Sequence, residues 1–131
     1  MDKPKATTPR SLELTAKMDE PVDKNEGGDY WGLFKQHFGA EAELAYAVAK
    51  AESGVVSKAG AVNMDGSQDW GVMQINDRWH CPKVGAEAFS EDCHNKLLDV
   101  ETNVRVAKQI RDDSGWGAWS VINNGRYLNF M

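Results

Sequence analysis

Glu52 breaks a local rule of helix electrostatics. It falls in the last turn of a predicted helix, where the dipole disfavours a negative charge, and it follows the apolar residues Leu44 and Val48 at a spacing of four. Residues that break local rules concentrate at functional sites. A carboxyl drawn out of water keeps its proton to higher pH and can donate it as an acid. The competing reading is a solvated glutamate at a helix end. Asp69 lies 17 residues further on, at the exit of a predicted hairpin. Hydrolysis of a glycosidic bond uses two carboxyls, one to protonate the leaving oxygen and one to stabilise or attack the carbon that becomes positive. A helix-end glutamate facing a hairpin aspartate across a cleft meets that need. Taken alone, Asp69 reads more readily as a turn residue.

Positioning these two groups requires a small set of elements. Asp29 can cap a helix that carries Tyr30, Trp31, Leu33, Phe34 and Phe38 on its apolar side, with Gly39 as its stop. A second helix is predicted from about Ala40 to Ser53, with Glu41 and Glu43 in its first turn and Gly54 at its end. Asp65-Gly66 is a turn signal for a small hairpin. Residues 72–98 read as irregular chain with short helical pieces. A third helix is predicted from about Val100 to Asp113, capped by Asp99 and stopped by Gly115, with Val100, Val104, Ala107 and Ile110 inward. The aromatic segment Trp116 to Met131 is expected to pack back on the core. The sum is an α+β fold, mostly helical, with one small β-hairpin beside the site.

The chain has 131 residues, enough for one domain with a real core. Residues 1–28 are rich in Lys, Asp, Glu, Thr and Pro and contain no aromatic residue. They read as a linker or arm, with a short helix around Leu12 to Met18, so the folded unit is expected to span 29–131. The N-terminus shows no signal-peptide layout and no apolar run reaches the length of about 18 residues that spans a bilayer, so no membrane insertion is expected and export would need another route. The net charge of −5 argues against nucleic acid as the main ligand, because phosphate binding is driven by Lys and Arg. It also removes any general attraction to anionic surfaces, which leaves recognition to the site. Five residues are Trp, a side chain suited to stacking on sugars as well as to core packing; Trp31 and Trp70 read as packing. Cys81 and Cys93 lie twelve positions apart. Oxidised, they would close a short loop and add about 2–3 kcal/mol. The adjacent His80 and His94 leave a Cys/His zinc cluster as a second reading, weakened by the lack of another ligand pair at zinc-finger spacing.

Longer runs carry a resemblance. Ala51-Glu52-Ser53-Gly54, followed by Asn63-Met64-Asp65-Gly66-Ser67-Gln68-Asp69-Trp70-Gly71-Val72-Met73-Gln74-Ile75-Asn76, is similar to the lysozyme superfamily. The Glu-Ser-Gly and Gly-Val-Met-Gln-Ile-Asn segments resemble soluble lytic transglycosylases. The Asn-x-Asp-Gly-Ser-x-Asp pattern and Asn76-Asp77-Arg78-Trp79-His80-Cys81 resemble animal, c-type lysozymes. Trp116-Gly117-Ala118-Trp119 fits both. The resemblance covers about residues 29–127.

By position, it implies Glu52 as general acid and Asp69 as the second carboxylate of the c-type group. It implies Asn63 as a polar neighbour of that carboxylate, and Gln74 and Asn76 as cleft residues that hydrogen-bond sugars. Trp79 would stack on sugar at the rim, and Trp116 would pack on the catalytic glutamate, an arrangement known from lysozyme itself. Cys81 and Cys93 match one of the c-type disulfides. Gln74 and Asn76 also read as residues that satisfy buried backbone groups near the hairpin, and Trp116 and Trp119 as core. The transglycosylase pattern usually carries Tyr-Asn-x-Gly near the C-terminus, where this chain has Ile122-Asn123-Asn124-Gly125. The implied activity is therefore a muramidase acting on peptidoglycan glycan strands, with lytic transglycosylation as the alternative and a non-catalytic glycan-binding relative as a third reading. Neither reaction needs a metal or organic cofactor. A monomer is expected, working outside the cytoplasm, in the cell wall or periplasm, or delivered by a phage.

Overall fold

The structure, a computed structural model, describes residues 30–131. The predicted arm, its short helix and the proposed cap Asp29 lie outside the described residues. Helix α1 spans Trp31–Phe38, with Tyr30 at the N-cap position and no side-chain cap bond. Tyr30, Phe34 and Phe38 recur every four residues and are all buried, which is the inward stripe that the apolar pattern demands. A 3₁₀ turn, Gly39–Glu41, leads into helix α2, Ala42–Ser53. The second helix thus starts two residues later than predicted. The carboxylate of Glu41 accepts bonds from Arg111 Nε at 2.7 Å and Nη2 at 3.0 Å instead of serving the first turn of α2. That guanidinium holds the Glu41 carboxyl below its ordinary range.

Three short strands follow, β1 Gly60–Val62, β2 Gln68–Trp70 and β3 Ile75–Asn76, antiparallel in that order. The single predicted hairpin is therefore a three-stranded sheet. Strand β3 has two residues, too few for alternation to reveal it in sequence. After a 3₁₀ turn at Cys81–Val84 come helix α3, Glu91–Leu98, and helix α4, Val100–Ser114. Each helix has a side-chain cap: Ser90 Oγ accepts from Cys93 N, and Asp99 Oδ2 accepts from Thr102 N. The chain closes with a 3₁₀ turn Trp116–Ala118, helix α5 Ser120–Asn123 and a last 3₁₀ turn Arg126–Phe130.

One core joins these pieces. Phe34 from α1, Val48 from α2, Val72 and Met73 between β2 and β3, Ile75 from β3, Leu97 from α3, Val104 from α4 and Val121 from α5 are all buried together. Cys81 and Cys93 form a disulfide within it, tying the 3₁₀ turn to α3. Their sulfurs are bonded to each other, which removes them as zinc ligands. Among the described residues no helix is long and apolar enough to cross a membrane.

Candidate active site

The Glu52 side chain sits in the last turn of α2 and is 1% exposed. Leu44, Val48 and Glu52 share one helix face as the spacing requires, with Val48 and Glu52 buried and Leu44 partly so. The helix stops immediately afterwards at Gly54, whose left-handed φ of 70° lets its N–H bond back to Lys50 O.

Asp69 lies in the middle of β2, the central strand, and is fully buried. It is a strand residue and not the turn residue that sequence alone favoured. Alternation turns Asp69 one way and its neighbours Gln68 and Trp70 the other. Register sets its surroundings. Asn76 is directly opposite on β3 and donates through Nδ2 to Asp69 Oδ1 at 3.0 Å. Asn63, at the start of the hairpin loop, donates to the same oxygen at 3.2 Å. Both amides also reach Ser67 Oγ, at 3.1 and 2.9 Å, and that hydroxyl in turn donates to Asp65 Oδ1. The Ser67 hydroxyl and backbone N–H hold the Asp65 carboxyl below its ordinary range, with Arg78 assisting.

A cleft of about 250 Å³ runs along this wall. Asn63, Asp69, Gln74, Asn76, Trp79 and His80 line its sheet side, and Ile110, Ala118 and Trp119 its helical side. Five of the seven residues predicted for chemistry or sugar binding are thus brought to one groove. Glu52 and Trp116 are not among the lining residues. Ser53, next to Glu52, donates through Oγ to Val72 O at 2.8 Å, which ties the end of α2 to the segment leading from β2 to β3. Trp116 stacks on Phe38, centroid to centroid 5.5 Å, and tilts against Trp119 at 5.4 Å.

The supporting residues divide by what their polar atoms already hold. Asn76 commits its amide to Asp69 and Ser67, and its carbonyl accepts from Arg78 N at 2.8 Å. It positions the carboxylate. Gln74 donates through Nε2 to Ala59 O and Gly71 O, so it does satisfy buried backbone. Its Oε1, however, is buried without a partner, as is Asn63 Oδ1. Both atoms belong to residues that line the cleft. Trp79 is 65% exposed, with the Arg78 guanidinium 4.9 Å from its ring centroid on one face.

Sequence reasoning missed several members of this neighbourhood. His80 lines the cleft, with Nδ1 buried and unpartnered. Burial, aided by the charge of Lys83 and opposed by that of Asp69, pushes its pKa down to about 4, so the ring is neutral at physiological pH. Asp77 is an organising carboxylate: Oδ1 accepts from Gln68 N at 2.9 Å, while Oδ2 accepts from Trp70 Nε1 at 3.2 Å and pairs with His94 Nε2 at 2.8 Å. The His94 ring stacks on Trp70 at 4.1 Å, so its role is packing and hydrogen bonding. Asn103, fully buried on α4, accepts from Met73 N and donates to Trp70 O and Leu97 O, all at 2.8 Å. A polar residue inside an apolar helix stripe was the available signal for Asn103. A second hollow, of about 300 Å³, lies between α1, α2 and the C-terminal turn, lined by Trp31, Glu43, Tyr46 and Lys50 among others. Among the described residues, its one acidic side chain, Glu43, has no flanking amide donors like those around Asp69 in the cleft.

Known proteins show the family to which this fold is similar. A family profile described as a lysozyme-like domain matches residues 32–121. The chain is similar to Lysozyme 2 of Lucilia sericata, 38% identical over 80 residues that cover 56% of each protein. It is 37% identical to Lysozyme X of Drosophila melanogaster over 87 residues, 63% of this chain and 56% of that one. Lysozyme C of Crax fasciolata is 38% identical over 77 residues, 54% of this chain and 60% of the relative. The match therefore spans a little over half the length of these curated relatives.

Proposed function

The chain belongs to the lysozyme-like domain family, and on that premise we propose that it cleaves the β-1,4 bond between N-acetylmuramic acid and N-acetylglucosamine in peptidoglycan. Glu52 is the general acid and Asp69 the assisting carboxylate. Glu52 is held out of water, the setting in which a carboxyl favours its neutral form and can serve as a proton donor. Asp69 stabilises the developing positive charge on the sugar carbon, or bonds to it as a glycosyl ester. Water activated by the Glu52 carboxylate then completes hydrolysis with retention. The observation that carries this reading is the setting of Asp69, a buried carboxyl on a cleft wall with two amide donors fixing one oxygen, in a chain that also buries Glu52 at the end of α2.

The remaining cleft residues supply binding. The exposed face of Trp79 stacks on a sugar ring, while Gln74 Oε1 and Asn63 Oδ1 accept bonds from hydroxyl or acetamido groups. The buried disulfide suits an oxidising compartment, in keeping with action on a cell wall outside the cytoplasm.

Clearing of a peptidoglycan suspension tests the proposal. The wild type should clear it, and Glu52→Gln should lose about 10²–10⁴-fold in rate while folding normally. Asp69→Asn should also lose most activity. Mass spectrometry of the released fragments should find reducing ends. Ends lighter by one water would replace hydrolysis with transglycosylation, and binding without clearing would leave a glycan-binding protein.

A further inference from the structure

The turn that follows Glu52 is locked by a single hydroxyl. Ser53 is fully buried, and its Oγ meets four backbone groups. It accepts from Val55 N at 3.0 Å and from Val56 N at 3.3 Å. It donates to Val72 O at 2.8 Å, with Ala49 O also within 3.2 Å. The two short-range acceptor bonds close the reversal after α2, and the bond to Val72 crosses to the segment between β2 and β3.

Both segments joined in this way carry unfavourable backbone. Val55 has φ of 60° and Gln74 φ of 55°, and with Phe89 they are the non-glycine residues of positive φ among those described. Left-handed backbone is costly for a β-branched residue, so Val55 persists only where its surroundings fix it. Such strain gathers at functional sites. Here it flanks one bond on each side: Val55 stands two residues after Ser53, and Gln74 two residues after Val72. Beyond Val72 the chain runs to the cleft residues Gln74 and Ile75, and before it lies Asp69.

We propose that Ser53 is a positioning residue that sets where the Glu52 carboxyl lies relative to the wall bearing Asp69. The inference rests on the reading of Glu52 as the acid. The hydroxyl joins the end of the helix that bears one carboxyl to the crossover continuous with the strand that bears the other. Without that link, α2 could end in more than one way, and water would reach the last turn.

The test compares Ser53→Ala and Ser53→Cys with wild type, Glu52→Gln and a control of matched instability, Val106→Ala, whose side chain is buried on α4. Each is measured for melting temperature, and for kcat, KM and pH–rate profile on a soluble peptidoglycan fragment. Ser53→Ala should lose about 10-fold or more in kcat, with KM held within about threefold. The basic limb of its profile, which reports loss of the acid's proton, should move to lower pH by about half a unit or more as water enters. Val106→Ala should lose a similar melting temperature with kcat unchanged. If Ser53→Ala does not fold, Ser53→Cys, which keeps the shape with weaker hydrogen bonds, should show the same changes in smaller measure. Wild-type kcat and pH profile in the folded Ser53 variant, beside an inactive Glu52→Gln, would overturn the positioning role and leave Glu52 in place. An active Glu52→Gln would instead overturn the reading on which it rests.

Discussion

Replacing Asn103 by Ala should be among the most damaging single changes in the molecule. The side chain has no exposed surface and makes three hydrogen bonds of 2.8 Å, to Met73 N, Trp70 O and Leu97 O. Alanine leaves one buried N–H and two buried carbonyls without that partner. A buried donor left unmade costs about 1–3 kcal/mol, and a carbonyl with a second lone pair somewhat less. The expected loss is about 3–5 kcal/mol, a large share of the roughly 5–15 kcal/mol that holds an ordinary domain. At roughly 3–4 °C per kcal/mol for a chain of this size, the melting temperature should fall by roughly 10–20 °C. Thermal unfolding followed by circular dichroism would measure it. Asn103→Asp sharpens the test. It keeps the acceptor for Met73 N but turns a second oxygen toward two carbonyls, so it should be unstable at neutral pH. It should recover partly in acid, where a protonated oxygen donates to one of them. A melting temperature within about 3 °C of wild type for Asn103→Ala would refute the view that this amide holds the crossover in place.

Three further outcomes follow from the same coordinates. Gly71→Ala should cost about 2–4 kcal/mol in denaturant unfolding, because φ is +82° and a Cβ there would collide with Asn103 Nδ2 and lie 2.7 Å from Leu97 O. His80 has a folded pKa of about 4 against an ordinary 6.5, so folding favours its neutral form. That stability is present above about pH 6.5 and is lost as pH falls toward 4; His80→Gln should remove this slope, and parallel stability–pH curves for the two proteins would contradict it. Replacing Cys81 and Cys93 by Ser should lower stability by about 2–3 kcal/mol under the loop-closure account, with an unchanged calorimetric stability counting against it.

The helical part of the fold was legible because its signals are local. Asp99, Gly115 and Gly54 cap and stop helices where expected, and the apolar spacing of four assigns the inward faces. Strand β3 was not legible, since two residues cannot show a period. Its absence from the sequence reading hid the reason for Asp69 burial, which depends on Asn76 lying opposite across a strand pair. The cleft residues Gln74 and Asn76 were named from resemblance, yet which of their atoms are occupied depends on contacts 2–15 residues away. His80 shows the same limit. Its lowered basicity comes from burial that no neighbouring residue announces. Trp116 stacks on Phe38, far earlier in the chain, a contact that the local sequence does not announce.

The Asp77 carboxylate carries a consequence for how a ligand is received. It grips Gln68, Trp70 and His94 at once, and its backbone oxygen accepts from Phe89 N at 3.3 Å. The loop that displays Trp79 and His80 therefore springs from a riveted base, with the disulfide a few residues beyond as a second fastening. That side of the groove is an anvil, shaped before any sugar arrives, so little ordering entropy is spent there on binding. The opposite jaw of Ile110, Ala118 and Trp119 is fastened to the same crossover by the Trp119 indole, which donates to Met73 O, and through α4 by Asn103.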